Sequence, residues 1–229
     1  MGEKKKKEEQ TARWKQVLVV GACILFVLLM VLSGMGSHWI TMFSSVKPGD
    51  VAVVDYTIYD ASGAPLVTSN EQVYKKAVES GRYPLASKQI TLTANKTWDS
   101  ALYPIDVYTS SGKSSQFAIF STEYNALSSG LVGMKVNDQK KISLPASSSM
   151  SQIWSAEQLR LNNVNISTLN IGDSFSMGVS NNPQDLATNT SAVSYLRIGE
   201  ITRKTASDVV VDFGYPTAEI QVVSIGGQK

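Results

Sequence analysis

Residues 130–145, GLVGMKVNDQKKISLP, constrain the fold of this chain more than any other stretch, because they carry three structural instructions in succession. Leu127, Leu131 and Met134 recur at spacings of four and three, which puts them on one face of a short helix or helical turn, with Gly130 and Gly133 allowing close backbone approach. Asn137-Asp138 is a turn dipeptide, after which Lys140 to Leu144 alternates polar and apolar residues until Pro145 stops the strand. The rest of the chain must supply a sheet for this unit to pack on.

Sheet is readily found. Val51 to Tyr59 alternates so that Val54, Tyr56 and Ile58 share an inward face, and Asp60-Ala61-Ser62-Gly63 reads as a hairpin turn into a returning strand from Ala64 to Thr68. A short strand, QFAIF, carries Phe117 and Ile119. DVVVDF at 208–213 and AEIQVVSI at 218–225 are the clearest strands toward the C-terminus. Between them and Pro145 lie a linker-like SSSMSQ, a short helix SAEQLRL and the strand candidates IGDSFSMGV and SYLRIGEITRKT, a β-rich unit too small to be stable except as an insertion. Residues 71–115 are broken repeatedly by Gly81, Pro84, Pro104 and Ser110-Ser111-Gly112 and read as an elaborated loop, with helix possible over 71–80 and strand over 89–93.

Composition removes whole classes of mechanism. One cysteine, Cys23, and one histidine, His38, exclude an intrachain disulfide, a zinc cluster and a Cys/His dyad, so no metal or cofactor is expected. No Walker, Rossmann or calcium-loop motif is present. The 19 acidic residues leave no basic face for nucleic acid: six Lys or Arg stand against three Glu in residues 1–16, so that 15 basic and 16 acidic residues remain in the rest of the chain. Asp208 and Asp212 share a strand face but stand ~13 Å apart, too far for a retaining glycosidase pair, and read as solvated strand-end charges.

Residues 1–15 form a charged tail, and an uncharged apolar run follows from Gln16 to Gly36, bracketed by Trp14 and Trp39. The run predicts a transmembrane helix over 16–38 with a cytoplasmic N-terminus and the remainder outside, as a single-pass anchor in the cell membrane whose partner is the lipid bilayer. A cleavable signal peptide ending near Gly34-Met35-Gly36 is the competing reading. Asn95, Asn165 and Asn189 begin N-glycosylation sequons, which are compatible with an outside location.

The order of these features resembles the FKBP family of peptidyl-prolyl cis-trans isomerases, in its SlyD-like branch. VKPGDVAVVDYTIYDASGAPLVTS is similar to the family's opening strand and hairpin, ALSSGLVGMKVNDQKKISLP to its helix, turn and strand, and VVVDFGYP with AEIQVVSI to its closing strands. The resemblance implies an α+β fold: an FKBP-like antiparallel half-barrel sheet around a short helix (45–150 plus 206–229), carrying a small β-rich insert-in-flap-like domain (151–205) and preceded by the transmembrane helix. Position by position it assigns a substrate pocket to Tyr56, Leu66, Val67, Phe117, Tyr124, Leu127, Met150 and Ala218. The pattern departs from the family where Leu66-Val67 stands for Phe-Asp, Met150 for a tyrosine, Ala218 for a phenylalanine and Gly214-Tyr215-Pro216 for Asn-His-Pro.

The implied activity is isomerisation of X-Pro bonds in unfolded or proline-containing polypeptide clients. That chemistry needs no nucleophile, general base or metal. It needs a desolvated apolar cavity that favours the twisted amide over the planar one, whose resonance is worth ~18–20 kcal/mol of barrier. Two other readings stand beside it: a non-catalytic chaperone or peptide-binding module, and a structural cell-surface β-domain whose pocket is filled by its own side chains.

Overall fold

The computed structural model describes residues 18–31, 44–145, 150–182 and 193–226. The chain divides into two compact units, Met1–Ser44 and Ser45–Lys229. In the first, α1 covers residues 18–31. No helix among the described residues is long and apolar enough to cross a membrane. This corrects the expected transmembrane helix over 16–38, whose residues 16, 17 and 32–38 lie outside the described residues.

The second unit is built on β1 (Val51–Tyr59), whose alternation buries Ala52, Val54, Tyr56 and Ile58. On one side β1 pairs antiparallel with β12 (Thr217–Gly226); on the other it meets β2 (Pro65–Thr68) and β4 (Ile90–Thr93). Asn70 caps α2 (Glu71–Glu79) by accepting from the Gln72 and Val73 amides, and β3 (Leu85–Ser87) follows. β5 (Leu102–Tyr108) and β6 (Ser114–Phe120) form a hairpin that feeds directly into α3 (Ser121–Gly130), and β7 (Gln139–Ser143) lies on the outer side of β12. The last group is β8 (Ser151–Ser155), α4 (Ala156–Leu161), β9 (Ser174–Val179), β10 (Tyr195–Lys204) and β11 (Asp208–Asp212).

All twelve strands belong to one mixed sheet, in the order β7-β12-β1-β2-β3-β5-β6-β10-β11-β8, with β4 against β1 and β9 against β10. The expected antiparallel half-barrel wrapped around a helix is therefore not the fold. Two pairings are parallel, β2 with β3 through Val67 and Leu85, and β6 with β10 through Leu196 and Phe117. The cause lies in residues 71–115. Expected as a long loop, they form α2, β3, β4 and β5, and bury Leu85, Leu92, Ile105 and Val107, so the sheet continues through them.

Residues 130–145 do what their pattern dictates: Leu127, Leu131 and Met134 are buried, Asn137 takes a φ of 70° in the turn, and Lys135 N–H donates to the Asp138 carboxylate there. A Cβ at Gly130 would collide with Ile142 Cδ1, so that glycine serves the helix-to-strand contact. Gly133 has open space around it and serves the turn instead, with φ 85°.

Two hydrophobic cores fill this unit. The larger joins β1, β12, α3 and β4 to β6, and includes Tyr56, Phe117, Leu127 and Ile220. The smaller gathers Leu159, Phe175, Ile201, Val209, Val211 and Phe213 from α4 and β9 to β11.

Candidate functional site

Six of the eight residues assigned to a substrate pocket, Tyr56, Val67, Phe117, Tyr124, Leu127 and Ala218, are no more than 5% exposed and belong to the larger core. Tyr56 donates its hydroxyl to Ser87 Oγ at 2.5 Å, and burial pushes that hydroxyl above the ordinary tyrosine range. Tyr124 packs in tilted geometry against Trp98 and Tyr103 at centroid distances of 5.4 and 4.8 Å. Ala218 lies between Ile58 and Ile142 in register. Met150 packs elsewhere, against the smaller core. Leu66 lies beside open space.

Where a ligand cavity could abut Phe117, the chain puts its own cation. Arg197, fully buried on β10, forms a bidentate ion pair with Glu123 at 2.6 and 2.9 Å. Its Nη1 also donates to Ala118 O, and Nε and Nη2 both donate to Phe213 O, so all five guanidinium N–H groups are satisfied. The guanidinium carbon stands 4.0 Å from the Tyr215 ring centroid, 4.3 Å from that of Phe120 and 5.6 Å from that of Phe117. Glu123 accepts from Phe120 N–H as well, which fixes the start of α3. Nothing in the spacing of Arg197 and Glu123, 74 residues apart, signals this pair.

Open space lies around β9. A cleft of 160 Å³ has Leu66, Ile198 and Tyr215 in its lining together with the carboxylate residues Asp60, Glu200 and Asp212. It shares Asp60, Leu66, Ser174 and Ile198 with a wider, shallower cleft of 450 Å³. A third cavity, of 520 Å³, is bounded by Trp154, Asn162, Val164 and Leu169 on one side and by Ser174, Phe175, Ser176, Met177 and Gly178 on the other.

Five consecutive strand residues point their side chains to alternate faces, so a cavity touching all five runs along the backbone edge between those faces. That edge is free: among the described residues β9 pairs with β10 alone. Trp154 stands across the groove, its ring 5.5 Å from that of Phe175 and its indole N–H buried without an acceptor. The aromatic and methionine content of this segment is visible in the sequence, but the edge is not, because strand order is a tertiary property.

Asp208 departs from the expected solvated end charge, since one of its carboxylate oxygens is buried without a partner; Asp212 accepts from Gly214 N–H. Among the described residues no group of three or more His, Cys, Asp or Glu is placed to hold a metal ion. Of the sequons, Asn95 is exposed at a φ of 58°, Asn165 caps a short 3-10 turn through Ser167 N–H, and Asn189 lies outside the described residues. No protein-family model matches the chain, and no curated protein matches it at a significant level.

Proposed function

We propose that this chain is a non-catalytic polypeptide-binding module that holds extended, apolar segments of unfolded client chains along the free edge of β9. The observation that carries the reading is the groove itself. It offers a strand edge that no other described strand pairs with, an opposite wall that includes Trp154, Val164 and Leu169, and a buried indole N–H that lacks an acceptor. An added strand satisfies all three, because its backbone completes the ladder, alternate side chains face the wall and a carbonyl can take the indole proton.

Isomerisation is the less supported reading. A rotamase must admit a prolyl ring to a dry cavity, whereas Tyr56, Phe117 and Leu127 fill their own space and Arg197 occupies the ground beside Phe117. The two readings separate in one assay, in which the full-length chain is added to a denatured client whose refolding is limited by an X-Pro bond. The expected result is suppressed client aggregation at stoichiometric ratios with the slow phase unchanged. Acceleration of that phase at catalytic ratios overturns the proposal, and neither effect favours a structural β-domain.

Lipid is the second partner in this proposal. The large apolar side chains of α1 are 52–69% exposed around its whole circumference, a surface that calls for apolar surroundings, and Lys4 to Lys7 precede it in the chain. Full-length chain should float with anionic vesicles, and a chain lacking residues 1–44 should not.

A further inference from the structure

The backbone of β9 shows which of its residues border the free edge. Ile201 N–H donates to Asp173 O, and Ile201 O accepts from Gly172 N–H, so the backbone groups of Ile201 point to the β9 side of β10. Ile198 O points the other way, where it accepts from the Tyr215 hydroxyl. Strand alternation therefore turns the backbone groups of Tyr195, Arg197 and Gly199 toward β9, onto their register partners Val179, Met177 and Phe175. Ser174, Ser176 and Gly178 are left with their N–H and C=O groups on the free edge. The same alternation sorts the side chains. Phe175 is buried and Met177 packs with it in the smaller core, on the Trp154 side, whereas Ser174 and Ser176 are exposed on the opposite face. That second face has a wall of its own. Ser174 and Ser176 line the 450 Å³ cleft together with Pro65, Leu66, Tyr83 and Pro84, and Tyr83 is 66% exposed. The two charged residues of this cleft, Asp60 and Arg82, are opposite in sign.

We infer that the client segment held on β9 is apolar on both of its faces: a consecutive apolar run, as in a strand buried on both sides, rather than an amphipathic strand with apolar residues at every second position. In an added strand, residues opposite Phe175 and Met177 turn toward Trp154, and those opposite Ser174, Ser176 and Gly178 turn toward Leu66 and Tyr83. The absence of any large side chain at Ser174, Ser176 and Gly178 leaves the room on that face to the client. An amphipathic strand would set polar groups against one of the two walls, whereas a consecutive run covers both. The inference rests on the strand-edge reading above for its ligand, and adds the class of segment that fits it.

The test uses the full-length chain and two blocked heptapeptides of one composition, valine and threonine, with the valines consecutive in one and alternating with threonine in the other. The consecutive peptide should bind about tenfold more tightly, because its valines reach both walls. Tyr83→Ser, at an exposed position, should bring the consecutive peptide down to the level of the alternating one and leave the alternating peptide unchanged. Equal affinity for the two peptides, or tighter binding of the alternating one, overturns the inference while leaving the β9 groove in place. A preference that survives Tyr83→Ser overturns it as well, by showing that the second wall is not used. Failure of both peptides to bind overturns the strand-edge reading itself.

Discussion

Around Tyr56 and Leu127, and again along β9, apolar and aromatic side chains gather beside a sheet, but only the second gathering leaves room for anything else. In the first, β12 pairs with β1, Tyr124 and Leu127 of α3 are buried in the same core, and Trp98, Tyr103 and Tyr124 pack on one another beside it. The second is served by six buried residues, a helix of six residues and a strand, β9, that among the described residues pairs on one side only. Apolar content alone therefore does not mark a binding site. What separates the two is the number of elements available to cover the apolar surface.

The comparison can be broken most forcefully at Arg197, which lies at the junction of the two cores. Arg197→Leu strands the Glu123 carboxylate in a dry interior, and urea unfolding should register a loss of ~3–5 kcal/mol. If stability is unchanged, the two cores do not depend on the pair. Leu127→Ala tests the closed region: a cavity there should cost ~2–5 kcal/mol with peptide affinity of the folded protein unaltered. Any change in peptide affinity would make Leu127 part of a site after all.

Gly199→Ala comes next, at ~1–3 kcal/mol, because its Cβ would stand 2.7 Å from Asp212 O and the Phe213 ring, where the backbone must shift. Trp154→Phe should move stability by less than ~1 kcal/mol, since it removes a donor that has no acceptor, yet weaken binding of a blocked heptapeptide that alternates valine and threonine about tenfold. An unaffected affinity would show that the indole N–H is not used. The smallest effect near neutrality concerns pH. Burial raises the Tyr56 and Tyr215 hydroxyls above the usual value near 10, so stability is whole below about pH 10 and declines above it, as the unfolded chain releases protons that the folded chain retains. Stepwise urea titrations at alkaline pH should show a shallower decline for Tyr56→Phe.

Local instructions were legible in the sequence, and long-range ones were not. Alternation located β1, β11 and β12, and the spacing of Leu127, Leu131 and Met134 gave the buried face at the end of α3. The helix possible over 71–80 forms as α2, but the prolines and glycines of residues 71–115 concealed β3 and β5, which draw their stability from pairing with other strands; Pro104 itself sits within β5. For the same reason, the resemblance to a half-barrel enzyme matched motifs without fixing strand order, and the parallel pairings redirect the sheet. Leu66 is an assigned pocket residue found beside a cleft, whereas Trp154 was not singled out as part of a site, because only the packing of β8 and β9 brings it to the groove.

The position of β12 has a consequence for the order in which the molecule can be made. It lies between β7 and β1, so it fills an interior slot, yet every other strand of the sheet precedes it in the chain. During synthesis β1 and β7 must wait with facing edges unpaired while the intervening segments emerge, and Ile58 and Ile142 remain bare until Ala218 arrives between them. Closure of the larger core is then one late insertion rather than a gradual zippering. A nascent chain of this protein passes through a stage at which it is itself an incomplete sheet in need of a strand.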